Sequence, residues 1–307
     1  SHPNQKQKAK NFIDKHGFLA KDNDLTIKKE IDEIRIATIG GSTTANVNLT
    51  FDQNWPGYLG TLIQRKFPNR KIKVINAGIP GFDTAQSIGN LALRVMPFKP
   101  DIVIIYHAYN DFKAIQSSTD FKTDYSHIHN TPYGFHKQPN TLIRILSNSM
   151  LFVRTRNLVR EIKEKKIGDN DQDKKRLSSI PKEAANTFEE HIKALVAIAR
   201  SGGASLILSS YATLHDPNSN WESTKETINE LSKYKKDNLG ALYHFTPGLT
   251  IKAIFDAFNQ YNEILHGVAV NEETCWVDNA NSVPHEDQYF VDGVHFTPLG
   301  AKLMAEN

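Results

Sequence analysis

The stretch RIATIGGSTTAN, residues 35–46, joins an apolar run to two glycines and a set of hydroxyl side chains. Glycines at such a turn either cradle a phosphate or make room around a reactive serine. A P-loop needs a longer spacing between its glycines and a lysine before the hydroxyl residue. Here Gly40 and Gly41 are adjacent, the next lysine is Lys66, and the three spaced glycines of a dinucleotide-binding fingerprint are missing. The turn therefore favours Ser42 as a nucleophile at the end of a strand, although such a turn is a weak signal by itself.

Around this turn, strand-like and helix-like patterns alternate along the chain. Each apolar run is followed by turn residues and then by apolar residues at helical spacing, as after the capping-box pair Asp83 and Gln86. This alternation predicts an α/β fold, with a parallel sheet covered by helices on both faces. The five strand-like runs read IRIATIGG, KIKVINAG, PDIVIIYHAYND, ASLILSSYA and TCWVDN.

Length and composition are those of an ordinary soluble globular protein. The chain has 307 residues, 39% hydrophobic and 23% charged, which suffices for one large domain or two small ones. A net charge of +3 is too small to indicate a nucleic-acid partner. No apolar run reaches the roughly 20 residues of a membrane-spanning helix. The single cysteine, Cys275, cannot form an internal disulfide and leaves the redox compartment open.

The chain divides into a lead-in at residues 1–33, whose first two residues read as a tag remnant, and a main domain at residues 34–307. Residues 113–180 interrupt the alternation with a polar loop, a basic amphipathic helix at 141–166 and a charged stretch. A second irregular stretch covers residues 214–238. Both stretches follow carboxyl ends of strands, where open α/β sheets bind ligands, so we interpret them as a cap around the site, and we predict that residues 113–180 set the choice of substrate. The alternative is that the basic helix only packs on the sheet.

A nucleophilic serine needs a base, and the far end of the chain offers one. A serine hydroxyl is a poor nucleophile until a base removes its proton. In YFVDGVHFTPLG, Asp292 and His295 are three residues apart. This spacing can place the carboxylate against one imidazole nitrogen and leave the other nitrogen for Ser42. The alternative is a helix-capping aspartate beside a surface histidine.

Two further stretches offer donors for the oxyanion that forms during acyl transfer. NAGIPG, after the second strand, offers the backbone N–H of Gly78, where a missing side chain permits close approach. YHAYND, after the third strand, offers the side-chain amide of Asn110. The alternatives are a tight turn and a hydrogen-bonded loop asparagine.

These four stretches, in this order, resemble the blocks of the SGNH hydrolase family, also called GDSL-type esterases. The Ser, Gly, Asn and His of that family match Ser42, Gly78, Asn110 and His295, and its aspartate matches Asp292. The resemblance implies a flavodoxin-like three-layer α/β/α sandwich of about five parallel strands, with the N–H of Ser42 completing the oxyanion hole. It also implies hydrolysis of esters or thioesters without a metal or cofactor, or acyl transfer to a second alcohol.

Two positions depart from the family's pattern. Gly41 stands where an aspartate usually precedes the serine, and Ala108 stands where a glycine often begins the third block. Neither change replaces a reacting group, but both bear on the shape of the oxyanion hole. The lead-in resembles the segment before the catalytic block in SGNH proteins with an amino-terminal anchor. This favours an extracytoplasmic location over a cytoplasmic one, with membrane association through a segment upstream.

Other residues are candidates for binding substrate or a metal. His127 and His129 form a His-x-His pair, but no acidic residue at ligand spacing supports it, and we predict no metal. His107 and Tyr109 flank the third block and could line the acyl pocket, with one of them expected to face the core. The candidates for substrate binding are Gly41, Phe82, His107 and Tyr109.

The function predicted is that of a serine hydrolase that cleaves O-acyl esters through an acyl-enzyme. Polar loops at the strand ends suit hydroxylated ligands such as sugars. We therefore predict a substrate that carries short acyl groups, acetyl above all, on a carbohydrate. The basic helix suits anionic lipid instead, and it favours a lipase or lysophospholipase. The same motifs are compatible with an acyltransferase acting on a sugar alcohol, with a thioesterase and with a catalytically silent binding module. The expected partner is a small-molecule or glycan acyl ester.

Overall fold

A mixed, mostly parallel sheet forms the centre of the computed structural model, which describes residues 12–112, 114–115, 121–129, 176–219, 221 and 238–307. The strands within these ranges are β1 (Phe12–Ile13), β2 (Leu19–Ala20), β3 (Glu33–Gly40), β4 (Lys71–Asn76), β5 (Ile102–Tyr106), β6 (Ser205–Ser209) and β7 (Cys275–Val277). They form one sheet in the order β1-β2-β4-β3-β5-β6-β7. The five neighbouring strands β4-β3-β5-β6-β7 are parallel to one another. Their order in the sheet is that of flavodoxin-like folds.

Helices cover this sheet in two groups. The described helices are α1 (Ser42–Ala45), α2 (Trp55–Lys66), α3 (Thr84–Asn90), α4 (Tyr109–Phe112), α5 (Ser126–His129), α6 (Lys182–Ser201), α7 (Asn238–Phe245), α8 (Ile251–Asn271), α9 (Asn279–Ser282) and α10 (Pro298–Glu306). Helix α2 packs against α10 and β4, whereas α6 packs against α3 and α8. Crossovers between parallel strands are right-handed as a rule, so connections that lead to opposite sides of β3 place the two groups on opposite faces, which gives the three layers expected. None of the described helices is both long and apolar enough to cross a membrane.

Local sequence signals set the ends of these helices. Asp83 and Gln86 form the capping box at the start of α3, as their spacing predicts. The Asn54 side chain caps α2 by accepting a backbone hydrogen bond. Helix α6 begins directly after Pro181 and ends directly before Gly202. Proline at the start and glycine at the end are typical helix boundaries.

The continuous apolar run of β5 is buried on both faces of the sheet. Val103, Ile105 and Tyr106 are fully buried, and so is Ile39 of the neighbouring β3. A strand in the middle of a parallel sheet has helices above and below it, so it needs apolar side chains in both directions. This central pair of strands therefore provides a rigid support for the turns that follow them.

The lead-in contributes to the same sheet. Strands β1 and β2 form a hairpin, and Leu19 of β2 pairs antiparallel with Asn76 of β4. Residues 1–33 thus supply strands that extend the sheet of residues 34–307, and β3 itself begins at Glu33. The hairpin covers the edge that β4 would otherwise expose.

The structure describes only parts of the expected cap. Of residues 113–180 it describes residues 114–115, 121–129 and 176–180, and the basic helix predicted at 141–166 lies outside the described residues. The second irregular stretch, residues 214–238, is described at residues 214–219, 221 and 238. The substrate-selecting role of the cap stays a prediction.

Candidate active site

Ser42 lies at the turn between β3 and α1, and its neighbour Thr43 anchors this turn. The Tyr211 hydroxyl donates a hydrogen bond to Thr43 Oγ1 at 3.2 Å. The Trp55 indole N–H donates to the Thr43 carbonyl at 3.2 Å. All three anchoring residues are buried, whereas Ser42 is partly exposed. The anchors therefore hold the Ser42 hydroxyl at the carboxyl edge of the sheet, where ligands of such folds bind.

The structure brings Ser42, His295 and Asp292 into one chain of hydrogen bonds. His295 Nε2 lies 2.8 Å from Ser42 Oγ, although the two residues are 253 positions apart in the sequence. His295 Nδ1 lies 2.8 Å from Asp292 Oδ2 and 3.0 Å from Asp292 Oδ1. A carboxylate only accepts hydrogen bonds, so the imidazole proton sits on Nδ1 and leaves Nε2 to accept the serine proton.

Asp292 is held in its ionised form. Burial raises the pKa of its carboxyl. The hydrogen bond and charge of His295 and the backbone N–H groups of Val294 and His295 together lower this pKa by more than burial raises it. Those two N–H groups donate to Asp292 Oδ1 at 2.9 and 2.8 Å. The net pKa therefore lies below that of an ordinary aspartate, and the carboxylate stays available to orient the imidazole and stabilise an imidazolium.

The loop that carries Asp292 and His295 is fixed at both ends and in the middle. The Val291 N–H donates to the His295 carbonyl at 2.8 Å, which closes the loop on itself. The Leu214 N–H donates to the Gly293 carbonyl at 3.0 Å, which ties the loop to the segment after β6. These backbone bonds keep the imidazole in reach of the serine without help from substrate.

Asn110 lies in α4, directly after β5, with its amide against the serine turn. Its Nδ2 donates to the Phe82 carbonyl at 2.8 Å. A Cβ added to Gly41 would collide with this Nδ2 and would stand 3.1 Å from the Phe82 carbonyl oxygen. Gly41 therefore serves the site by leaving room for the amide, and Phe82 serves it through its backbone carbonyl, with a half-buried side chain.

Gly78 does not occupy the position expected of an oxyanion donor. Its N–H donates to Asn76 Oδ1 at 3.1 Å, and the residue is buried. A Cβ at Gly78 would stand 2.8 Å from the Thr44 carbonyl carbon and would collide with the Ala45 nitrogen. The missing side chain thus allows the segment after β4 to pass close to α1, and this corrects the expectation that the Gly78 N–H faces the reacting carbonyl.

Gly81 is a donor candidate that sequence reasoning missed. Its φ is +84°, it is exposed, and a Cβ there would meet no atom within 4 Å. Phe82 donates its N–H to the Ile79 carbonyl at 3.1 Å, and Pro80 precedes Gly81, which are the marks of a type II turn. Among the described residues no hydrogen bond engages the Gly81 N–H. The Pro-Gly dipeptide was the signal that could have found it.

His107 lies in the core. It is 2% exposed, and its Nε2 lies 2.8 Å from Ser87 Oγ. Burial lowers its pKa to about 4. This placement corrects the expectation that His107 lines the acyl pocket: the buried hydroxyl is its partner, and the ring is neutral at pH 7.

Tyr109 lies between the core and the triad. Its ring stacks on Phe258 at 6.2 Å between centroids. Burial raises the pKa of its hydroxyl to about 12, with a further contribution from the nearby charge of Asp292. Tyr109 is therefore a neutral aromatic wall close to the triad carboxylate.

Asp111 connects the asparagine turn to α3. Its Oδ1 accepts hydrogen bonds from the Thr84 N–H, at 3.1 Å, and from the Thr84 hydroxyl. Thr84 Oγ1 lies 2.9 Å from His191 Nδ1. Burial and the charge of Asp83 raise the pKa of Asp111. The Asp111 side chain therefore ties the turn that carries Asn110 to the start of α3.

Both ring nitrogens of His127 are engaged by the protein. The Lys122 N–H donates to His127 Nδ1 at 3.2 Å, and His127 Nε2–H donates to the Ala114 carbonyl at 2.7 Å. Within the described ranges no group of three or more potential ligand residues could hold a metal ion. His127 thus helps to fold the 121–129 segment.

A serine, histidine and aspartate relay with an asparagine amide, at the carboxyl edge of a flavodoxin-like sheet, defines an SGNH-type ester hydrolase. The chain belongs to the GDSL-like lipase/acylhydrolase family, whose model matches residues 38–303. None of the curated proteins compared with the chain matches it significantly.

Solved structures share the fold at low sequence identity. An alpha/beta hydrolase enzyme from the metagenome of Lake Arreo, Spain, is 13% identical, with a TM-score of 0.50 over 89% of this chain and 91% of that chain. An acetyl xylan esterase from Geobacillus stearothermophilus is 15% identical, with a TM-score of 0.50 over the same shares, 89% and 91%. At these identities the likeness establishes the architecture alone.

Proposed function

We propose that this protein hydrolyses O-acyl esters through an acyl-enzyme on Ser42, and that its substrates are short acyl groups, above all acetyl, on a carbohydrate. The observation that carries the proposal is the distance of 2.8 Å between Ser42 Oγ and His295 Nε2. His295 in turn contacts Asp292, with its Nδ1 2.8 Å from Asp292 Oδ2. This is the relay that makes a serine hydroxyl nucleophilic at neutral pH.

The reaction follows from the relay. Ser42 Oγ attacks the ester carbonyl carbon while His295 Nε2 takes the serine proton, which gives a tetrahedral intermediate and an imidazolium next to Asp292. The carbon–oxygen bond to the alcohol then breaks, and the imidazolium gives its proton to the departing alcohol. A water molecule repeats both steps on the acyl-serine, which releases the carboxylic acid and restores Ser42.

Three groups are assigned to the oxyanion. The Ser42 N–H opens α1, where helical N–H groups lack partners within the helix. The Asn110 amide adjoins the serine turn at Gly41. Gly81 takes the place expected of Gly78, because the Gly78 N–H is already bonded. Donors fixed before the reaction stabilise the charge that forms on the carbonyl oxygen.

Packing behind the serine turn favours a short acyl group. Tyr106, Tyr211 and Trp55 fill this space, and all of them are buried. The rings of Tyr106 and Tyr211 stack at 4.6 Å between centroids, and Trp55 meets Tyr106 edge-on at 6.2 Å. A long acyl chain needs an apolar channel next to the nucleophile, and these rings occupy the inner side of the turn. An acetyl group needs no such channel.

Acetylated carbohydrate is the alcohol part to test first. The solved structure from Geobacillus stearothermophilus shares the architecture and is described as an acetyl xylan esterase. The described part of the stretch 214–238 includes the polar side chains of Asp216 and Asn218, in the segment that follows β6 at the carboxyl edge of the sheet. Such side chains suit hydroxyl groups.

A lipid ester is the second candidate, and a specific surface feature favours it. Val47, Val291 and Leu299 are 40, 47 and 47% exposed, and they lie in the segments that carry the triad. Apolar side chains around a catalytic serine could receive an acyl chain lying along the surface. This would make the protein a lipase, lysophospholipase or thioesterase.

A panel of nitrophenyl esters from acetate to palmitate, followed by acetylated xylo-oligosaccharides, separates the candidates. We expect the highest kcat/KM for acetate and release of acetate from the sugars. Ser42→Ala, with an unchanged circular dichroism spectrum, serves as the control for the nucleophile. A maximum at long chains would assign the protein to the lipid candidate. Preferred formation of a new ester when a sugar alcohol is added would make it an acyltransferase, and an inert wild type would make it a silent module.

A further inference from the structure

A cavity of about 410 Å³ opens between α8 and the segments that follow β6 and β7. Ser210 lines it directly after β6, and Asp278 lines it directly after β7. It therefore lies at the same carboxyl edge of the sheet as Ser42, toward the β7 side. A volume of this size is in the usual range for small-molecule sites. The other wall comes from α8, through Asn259 and Glu263.

The cavity shares a wall with the catalytic centre. Asn262 of the cavity holds the backbone of Tyr211, accepting from its N–H at 2.7 Å and donating to its carbonyl at 3.2 Å. The hydroxyl of the same Tyr211 bonds Thr43, the residue after the nucleophile. Only one anchoring residue thus separates the cavity from the serine turn.

A second connection reaches the loop of the triad. His285, which lines the cavity, lies with Nδ1 2.6 Å from the Thr213 carbonyl. The next residue, Leu214, donates to the Gly293 carbonyl between Asp292 and His295. A ligand in the cavity would therefore lie against the segment that positions the general base.

Some polar groups of the cavity are already oriented. Asp278 accepts hydrogen bonds from Ser210 Oγ at 2.8 Å and from Asn281 Nδ2 at 2.6 Å. Asn259 Nδ2 donates to Asn218 Oδ1 at 3.1 Å. Side chains held in this way need little reordering when a ligand binds, which favours affinity.

Further groups are available to a ligand. Within the described residues no hydrogen bond or ion pair engages the Glu263 carboxylate or the Trp276 indole N–H, and both residues line the cavity. The Trp276 ring meets the His266 ring at 5.1 Å between centroids. An aromatic face, a carboxylate and amides together are suited to a ligand with an apolar face and many hydroxyl groups.

The charge of the lining residues limits the class of ligand that can bind in the cavity. Glu263 and Asp278 are the acidic residues of the cavity, and none of the described residues that line it is lysine or arginine. Two carboxylates repel uronates, sulfates and phosphates, whereas neutral hydroxyl groups donate to them.

We propose that this cavity is a subsite for a neutral sugar unit of the same glycan whose acyl group reacts at Ser42. The inference rests on the proposed carbohydrate substrate. The sugar ring packs on Trp276, and its hydroxyl groups donate to Glu263 and to Asp278 and accept from the Trp276 indole N–H. Occupation of the subsite holds the acylated unit at the serine turn, so it contributes to binding of oligosaccharides and not of small esters.

Two variants test the subsite kinetically. Glu263→Gln, an exposed position, removes the charge at constant shape, and Trp276→Phe keeps an aromatic ring but removes the indole N–H. We expect each to raise KM for acetylated xylotetraose about tenfold with little change in kcat, and to leave nitrophenyl acetate hydrolysis unchanged. Glu190→Gln on the exposed side of α6 is the matched control and should change neither substrate. Unchanged KM for the tetrasaccharide in both cavity variants would overturn the subsite.

A binding measurement separates this inference from the proposed function. Calorimetric titration of the Ser42→Ala protein with unacylated xylotetraose, cellotetraose and chitotetraose needs no turnover. We expect at least one of these neutral sugars to bind, tetragalacturonate not to bind, and Glu263→Gln to weaken the neutral sugar about tenfold. If no neutral sugar binds, or if tetragalacturonate binds better, the subsite is refuted even where acetyl esters are cleaved. If the wild type cleaves no ester at all, the proposed function fails instead.

Discussion

The side-chain amide of Asn110 occupies the space that a side chain on Gly41 would need. A Cβ built on Gly41 collides with Asn110 Nδ2 and stands 3.1 Å from the Phe82 carbonyl oxygen that this amide bonds. The glycine before the nucleophile, a departure from the family's usual aspartate, is thus matched to the position of an asparagine on the turn after β5.

Gly41→Ala should reduce kcat by roughly tenfold to a hundredfold, because the new methyl group displaces the Asn110 amide from its place as an oxyanion donor. Gly89→Ala in α3 is the matched control, since a Cβ there meets nothing within 4 Å. Steady-state kinetics and thermal unfolding of both variants check the expectation. Equal kcat for the two variants would show that the position of the Asn110 amide does not contribute to turnover.

Asn110→Ala should lower kcat by roughly a hundredfold to a thousandfold, as loss of one oxyanion donor does in other hydrolases. The KM should change far less, because the donor acts mainly in the transition state. Kinetics with nitrophenyl acetate give both constants. A rise in KM alone would make Asn110 a ground-state binding residue.

Asp292→Asn should reduce kcat by about 10⁴-fold while the fold is kept, because an amide does not hold the proton on His295 Nδ1. The wild-type carboxylate is well suited to this role, since its pKa is lowered by His295 and by two backbone N–H groups despite its burial. Activity within tenfold of wild type, in a protein with the native circular dichroism spectrum, would remove Asp292 from the relay.

Gly78→Ala should lower the stability of the protein, whereas Gly81→Ala should also lower its kcat. At Gly78 the methyl group would press on the backbone of Thr44 and Ala45, so we expect a loss of about 1–3 kcal/mol in unfolding free energy. At Gly81 there is space, but the φ of +84° costs alanine roughly 1–2 kcal/mol and shifts the N–H. We therefore expect kcat to fall at least about tenfold in Gly81→Ala. Wild-type kcat in a folded Gly81→Ala protein would contradict its assignment to the oxyanion.

The pH dependence of stability should report the buried imidazole of His107. Its pKa falls from 6.5 to about 4 on burial, so between these pH values the unfolded chain binds more protons than the folded one. Stability due to this group is therefore present above pH 6.5 and lost as the pH falls toward 4, by up to about 3 kcal/mol. The raised pKa of Asp111 acts with the opposite sign, because its proton stabilises the folded state and is lost as the pH rises.

His107→Gln removes the titrating group, so its unfolding free energy should depend less on pH than that of the wild type between pH 4 and pH 6.5. Urea unfolding of both proteins across this range measures the difference. Parallel curves would show that His107 is accessible to protons in the folded state.

The amino-acid sequence by itself determined the features that depend on residue type and local spacing. Asp83 and Gln86 indicate a helix start because a capping box needs only those two side chains three residues apart. The apolar run of β5 indicates a strand buried on both faces. Asp292 and His295, three residues apart, predicted a carboxylate–imidazole contact that the structure contains.

Only the tertiary structure decided which groups compete for the same hydrogen bond or the same space. Gly78 and Gly81 both look like donors in NAGIPG, and the fold separates them because the Asn76 side chain takes the first N–H. His107 looks like a pocket residue until β5 carries it into the core beside Ser87. These outcomes depend on distances between segments far apart in the chain, which residue spacing does not encode.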